Sequence, residues 1–400
     1  MDNIKKILEA IKKDRILLNS TAEGNNPQKI KNIIIDSFTP YFENIDNLKK
    51  YAIDLMAAET INLANISDNP DFMNIVEDNL SLYRKSKATN MKDCFQSFAF
   101  WHSDVLEANN DFWSIVAFDT DINNKDIRDV HYYSMRNIGE IIEYLIKPFL
   151  KVILHQIFVA NNDKRKDEYI NSLSIGNIID IISRSNMLDN ALCPKPWNLG
   201  LNQWRNIAFH GSFRVEGDVL KCRYGKNKQR TIILKKEETL DILYKTNKIY
   251  AALKLAYTIF FVDNIDNIKC YIDVSKIKNR IEGDLISFAS ALATQGFQIM
   301  DFEYDNEMAK LSIKDSLNIK NNDRCLHSTQ FLYPVWIMTK SKNVKVIYID
   351  YENMPILESA VEAKLCERVF NGELEIYDIS KKMDLFYIQQ RKKIPPLKDK

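Results

Sequence analysis

The segment Leu199-Gly200-Leu201-Asn202-Gln203-Trp204-Arg205-Asn206-Ile207-Ala208-Phe209-His210-Gly211 brings a guanidinium, a carboxamide and an imidazole together within a few residues. At about 100° per residue, Leu201, Trp204, Ile207 and Ala208 cluster on one side of a helix, and Asn206 and His210 project from the other. Arg205 lies between the two faces and is long enough to swing to either. Asn206 and His210 are i,i+4 neighbours, so their side chains can touch. Gly211 is the natural residue just past a helix end. That puts His210 in the last turn, where the negative end of the helix dipole attracts cations. An outward imidazole in that place is suited to proton transfer near neutral pH.

Other reactive side chains are weaker candidates. Asp119 and Asp121 form a D-x-D without the Gly and Glu of a calcium-binding loop, and read as a solvated loop. Cys94, Cys193, Cys222, Cys270, Cys325 and Cys366 are scattered with no C-x-x-C pair, and read as buried free thiols. Cys325-Leu326-His327 lacks the second pair of ligands that a zinc site needs. Asp350 follows the apolar run Val344–Ile349, and Glu362-Ala363-Lys364 lies downstream, the D…E-x-K order of metal-dependent restriction-type nucleases. Ile356, Leu357, Val361, Leu365 and Val369 keep helical spacing, however. They predict a helix over 355–370, which takes Glu362 off the strand that such a site requires. No metal and no cofactor is expected.

The elements that must hold the motif occupy residues 129–265. A long helix is predicted over 131–159 from the stripe Met135, Ile138, Ile142, Leu145, Phe149, Val152 and Ile153, with a break near Ile146 because Pro148 falls inside it. A second helix is predicted over 173–187, capped by Ser172 or Ser174. The motif helix follows at 199–210. Strands at Phe213–Val215, Val219–Tyr224 and Thr231–Leu234 then lead into a last long helix at 236–262, completing a four-helix bundle with a β-hairpin insertion. Residues 1–128 read as a helical N-terminal region whose Ile4-Ile7-Leu8-Ile11 and Ile30-Ile33-Ile34-Phe38 recur at helical spacing, with Trp101 and Trp113 as core. Residues 266–390 read as a small α+β domain: a helix near 275–294, strands at Phe297–Tyr304, Lys310–Ile313, Tyr333–Thr339 and Val344–Ile349, and the helix over 355–370. A basic tail at 391–400 (Arg391, Lys392, Lys393, Lys398) is expected to be disordered.

Arg205-Asn206 followed by His210, R-N-x-x-x-H, resembles the R-x(4–6)-H signature of HEPN-superfamily ribonucleases, with the Gly often seen after the His. The helical bundle, the motif near the end of its third helix, the hairpin and the long closing helix are similar to that family over residues 129–265. The resemblance implies metal-independent cleavage of RNA by attack of the ribose 2′-OH on the adjacent phosphate. It implies His210 in proton transfer, Arg205 holding the phosphate, and Asn206 orienting His210 or the phosphate. One His is one proton carrier short, so a homodimer in which two motifs meet is expected. The hairpin carries a local net charge of +4, from Arg214, Lys221, Arg223, Lys226, Lys228 and Arg230 against Glu216 and Asp218. Lys221 and Arg223 leave one strand face, where RNA contact is expected. By family analogy the chain is a growth-arrest toxin or anti-phage effector. Its substrate would be transfer RNA or other RNA, and its partner an antitoxin or a phage-derived trigger. The alternatives are a non-catalytic RNA- or protein-binding module on the same bundle, or a metal-dependent nuclease using the C-terminal domain.

Composition sets the frame. Across 400 residues, Lys+Arg 55 against Asp+Glu 54 leaves a formal charge of +1, so nucleic acid must be met by a local patch rather than bulk charge. Ten Gly and ten Pro are few for a many-turned β protein, and favour a mainly helical fold. The N-terminus is amphipathic with no signal-peptide core, and no stretch is apolar for long enough to span a membrane. A cytoplasmic protein without a membrane partner is expected.

Overall fold

The computed structural model describes residues 27–117, 126–165, 167–185, 188–225, 229–273, 275, 277, 280–317, 322–388 and 392–394. The expected helix at Ile4–Ile11, the Asp119/Asp121 loop, Lys226, Lys228, Arg391 and Lys398 lie outside these residues. The chain is mainly helical, with a three-stranded sheet after the motif and a six-stranded sheet in the C-terminal part. It divides into a helical unit, Ser37–Tyr51 with Glu59–Asn279, and an α+β unit, Met1–Asp36 with Ala52–Ala58 and Arg280–Lys400. No helix among the described residues is long and apolar enough to cross a membrane.

In the helical unit, α1 (Pro70–Thr89) and α2 (Met91–Phe112) precede α3 (Ile127–Glu140), which runs through a π-helical turn at Ile141–Ile146 into α4 (Lys147–Ala160). The break falls where Pro148 demands it. Proline offers no N–H to the carbonyl of Tyr144 four residues back, and a wider turn absorbs the mismatch. The stripe Met135, Ile138, Ile142, Leu145, Phe149, Val152 and Ile153 is fully buried. Helix α5 (Ile175–Ser183) is shorter than the spacing predicts, and Ser174 caps it by accepting the Asn177 N–H at 3.3 Å. Then come α6 (Leu201–Phe209), strands β1 (Phe213–Glu216), β2 (Val219–Tyr224) and β3 (Arg230–Leu234), and α7 (Lys236–Asp263).

Helices α1 and α2 share the core of this bundle. The rings of Tyr83, Phe98 and Phe260 lie 4.7–5.4 Å apart, and Phe149 meets Tyr257 at 5.8 Å. Trp101 is fully buried and donates from Nε1 to His155 Nδ1 at 3.0 Å. Apolar faces on α1 and α2 predict burial, but periodicity does not say against which helix.

In the α+β unit, α8 (Ile281–Thr294) precedes β4 (Phe297–Tyr304) and β5 (Met308–Asp315). Helix α9 (Leu332–Thr339) precedes β6 (Asn343–Ile349) and β7 (Pro355–Glu362), and α10 (Ala363–Phe370) precedes β8 (Asp384–Tyr387) and β9 (Lys392–Ile394). The strands lie in sequence order, antiparallel except for the parallel β5–β6 pair.

Three expectations are corrected in this unit. Tyr333–Thr339 is helical, because Leu332, Val335 and Trp336 bury at i, i+3 and i+4. The predicted helix over 355–370 is a strand and then a helix. Residues 355–362 alternate, with Leu357, Ser359 and Val361 buried, and pair along β6, whereas Ala363–Phe370 is helical. Apolar positions at 356, 357, 361, 365 and 369 satisfy either reading, and a six-stranded sheet needing a neighbour for β6 decides between them. Lys392–Ile394, expected in a disordered tail, pairs with β8 as an edge strand. The thiols also divide. Cys94, Cys222, Cys325 and Cys366 are buried as expected, but Cys193 and Cys270 are exposed.

Candidate functional site

Helix α6 buries Leu201, Trp204 and Ile207 and leaves Phe209 and His210 exposed. Burying such side chains contributes about 1.5–3 kcal/mol each, so this face fixes which way the polar residues point. The helix ends in a Schellman turn. Gly211 takes φ +59°, a left-handed conformation that suits glycine, and the Ser212 N–H reaches back to the Ile207 carbonyl at 3.0 Å.

Gly139 on α3 lets the motif helix approach. A Cβ built there would lie 2.7 Å from Ala208 Cβ and 3.3 Å from Cε2 of Phe209. Gly139→Ala is therefore expected to cost about 1–3 kcal/mol by overpacking, read by thermal denaturation. Ala208→Gly, which removes the opposing methyl, should restore much of it. An unchanged melting temperature in Gly139→Ala would show that the crossing is not tight.

Arg205 is held in place. Its Nε donates to Glu143 Oε2 at 2.9 Å, and its Nη1 donates to Asn206 Oδ1 at 3.3 Å. Its guanidinium also sits 4.9 Å from the centre of the Phe209 ring. Glu143 lies in the π-helical turn and binds Lys147 Nζ through its other oxygen at 2.6 Å. Burial works to raise the Glu143 pKa. The hydrogen bond and charge of Lys147, followed by those of Arg205, outweigh it and hold the carboxyl below its ordinary value.

Sequence reasoning passed over Glu143. The available signal was the i,i+4 pair Glu143/Lys147 just before the Pro148 break. Asn206 and His210 share a helix side but make no side-chain hydrogen bond with one another; Asn206 Oδ1 faces Arg205 instead.

Four of the five histidines are engaged. His102 bonds the Tyr257 hydroxyl at 2.9 Å, and burial pushes its pKa down to about 4. His131 is buried against Thr239 Oγ1 at 3.1 Å, His155 accepts from Trp101, and His327 bonds Gln295 at 2.9 Å. His210 is exposed, and its imidazole has no hydrogen-bond or ion-pair partner among the described residues. It stands one helical turn from Asn206 and five residues beyond Arg205.

The hairpin is tied to the motif through the backbone: the Arg223 N–H donates to the Ser212 carbonyl at 2.7 Å. Arg214 and Lys221 are directly opposed on β1 and β2, and Arg223 is opposite Thr231. Lys221 is ion-paired with Glu216, which offsets the repulsion between Arg214 and Lys221. The Glu216 carboxyl is held below its usual pKa, first by its hydrogen bond from Lys221, which with the charges of Lys221, Arg214 and Arg223 outweighs desolvation. The Arg214 and Arg223 side chains are exposed and make no hydrogen bond or close ion pair among the described residues, their charges acting on Glu216 from farther off.

Asp350 and Glu362 are kept apart. Glu362 pairs with Asn343 at one end of the β6–β7 hairpin, and Asp350 follows Ile349 at the other, about 20 Å away along the strands. Asp350 closes the turn there, with its Oδ1 accepting the Met354 N–H at 2.7 Å. The D…E-x-K reading thus fails on register, and not because Glu362 is helical as the sequence suggests.

No protein-family model, curated protein or solved structure matches the chain.

Proposed function

We propose that the chain is a metal-independent endoribonuclease with a HEPN-like active site at the end of α6. In this reading the ribose 2′-oxygen forms a bond to phosphorus while the bond to the 5′-oxygen breaks. The 2′-OH proton leaves to a base, and a second proton reaches the departing oxygen. His210 carries proton transfer. The outer guanidinium edge of Arg205 faces the charge that builds on the phosphorane-like transition state. The observation that carries the reading is His210 itself, the exposed imidazole with no described partner, five residues beyond an arginine braced by Glu143 and Asn206. Two proton transfers and one histidine per chain make a homodimer with two facing motifs the natural active unit. Arg214 and Arg223, with Lys221 beside them, supply phosphate contacts for RNA, including transfer RNA. A growth-arrest or anti-phage role, with an antitoxin or phage-derived trigger as partner, follows by family analogy.

The second reading, a non-catalytic RNA- or protein-binding module, draws on the engagement of Arg205 by Glu143 and Asn206, which a purely structural arginine would also show. One experiment separates the two. Purified protein incubated with total RNA in excess EDTA should generate fragments ending in 2′,3′-cyclic phosphate. Retention of RNA without cleavage would support the binding module. Strict Mg²⁺ dependence with 5′-phosphate ends would remove the proposed chemistry altogether.

A further inference from the structure

The α+β unit carries a groove of about 660 Å³ over the open face of its sheet, where β7 passes into α10. That volume lies within the range of small-ligand sites. Its unpaired cations lie on the helices, while the one lysine of its floor, Lys345 on β6, is ion-paired with Glu358. The helices supply Lys364 and Arg368, one turn apart on α10, and Lys382 from the helix Tyr377–Lys382. The sheet supplies the carboxylates of Glu358, Glu362 and Asp384 and the ring of Phe386.

Several of these groups are already occupied. Glu358 binds Lys345 at 2.8 Å, and Arg368 uses its Nε on Glu373 at 3.1 Å. Lys364 and Lys382 are exposed ammonium groups with no partner among the described residues. The strand register orders the floor: Phe386 stands opposite Glu358, and Asp384 opposite Ala360, whose single methyl leaves the middle of the groove open. From Glu358 to Glu362 the floor runs about 13 Å.

We propose that this groove binds a free nucleotide. Its phosphates would sit at the Lys364/Arg368/Lys382 rim and its base on the ring of Phe386, a residue that is 37% exposed. The Glu362 carboxylate on the floor faces the ribose hydroxyls and exocyclic amines as an acceptor. An acidic peptide fits poorly, because the only cation of the floor, Lys345, is already paired with Glu358 and the other charged groups there are carboxylates. A nucleotide is anionic at one end and donates hydrogen bonds along the rest, which matches a cationic rim over an acidic and aromatic floor. The proposal is independent of RNA cleavage at α6.

The test is calorimetric titration of the full chain with ATP, GTP, CTP and UTP, and separately with inorganic tripolyphosphate, a single-stranded tetranucleotide and polyglutamate. At least one nucleoside triphosphate should bind one-to-one. The double variant Lys364→Glu, Lys382→Glu, at exposed positions, should weaken it by about ten-fold or more. Phe386→Ala should weaken the nucleotide and leave tripolyphosphate unchanged, a readout that general damage to the groove would not give. His210→Ala should bind nucleotide as the parent does, whether or not it cleaves RNA. Four findings would each overturn the proposal: no saturable binding of any nucleotide at millimolar concentration, indifference to the charge reversals, equal binding of polyglutamate, or binding of the tetranucleotide alone.

Discussion

His210→Ala is expected to lower RNA cleavage by about 10²–10⁴-fold, the usual loss when a general acid or base is removed. It should leave thermal unfolding of the chain unchanged. The imidazole is exposed and its side chain has no partner among the described residues, so nothing buried is stranded by its removal. The turn that carries it depends on Gly211 and on backbone bonds from His210 to Asn206 and from Ser212 to Ile207, none of which involves the ring. Equal cleavage by the variant and its parent would eliminate His210 as proton carrier. A variant that both fails to cleave and melts early would point to a structural role. His102→Ala is the useful contrast. Its ring is stacked on Phe261 at 4.6 Å and bonded to Tyr257, so substitution there should destabilise the helical unit and affect cleavage only through folding.

The contrast also shows what the sequence makes legible. Leu201, Trp204 and Ile207 announce a buried helix face, and Gly211 announces its end, so the outward position of His210 follows from spacing alone. The π-helical break follows from Pro148 in the same way. What spacing does not carry is partnership across the fold. Glu143 is separated from Arg205 by 62 positions, and the two meet because the glycine at 139 lets α6 press on α3. Asn206 was free by spacing to face His210, yet a guanidinium one residue away offers its carbonyl oxygen a charged donor. In the α+β unit the apolar positions of 355–370 fit a helix until β6 supplies a hydrogen-bonding partner, which is tertiary information. Residues whose role is set by periodicity over a long element could be read, whereas the short helix at Leu332–Thr339, with about two turns of signal, reads as a strand from its sequence. Residues whose role is set by a distant neighbour could not be read.

Arg205→Ala is the second large effect, expected to reduce cleavage by about 10²–10³-fold, the loss seen when one preorganised charge donor is taken from a transition state. Glu143 makes this testable in a way that separates chemistry from packing. Without Arg205, Glu143 keeps Lys147 at 2.6 Å, so its charge is still compensated and the fold should survive. Glu143→Gln leaves the shape of the π-helical turn but removes the charge that fixes Arg205. Cleavage should fall in the parent and fall no further in the Arg205→Ala background, which is the signature of one residue acting through the other. Independent, additive losses would show that Glu143 does not act by positioning the guanidinium. The pH dependence supplies a second check. The Glu143 carboxyl is held below its ordinary value, so its contribution is present above the unfolded-state pKa and is lost only as pH falls through the lower folded one. Between about pH 5 and 9 the Arg205 brace is therefore constant, and any change in cleavage rate over that range belongs to another group. Mixing the Arg205→Ala chain with a His210→Ala chain then asks where each half of the site resides. If guanidinium and imidazole at one scissile phosphate come from different protomers, the mixture should regain activity that neither chain has alone. If each chain supplies its own pair, or if the cleft needs both histidines, mixing restores nothing. A chain that is then strictly monomeric by light scattering while cleaving RNA at full rate would end the shared-cleft idea.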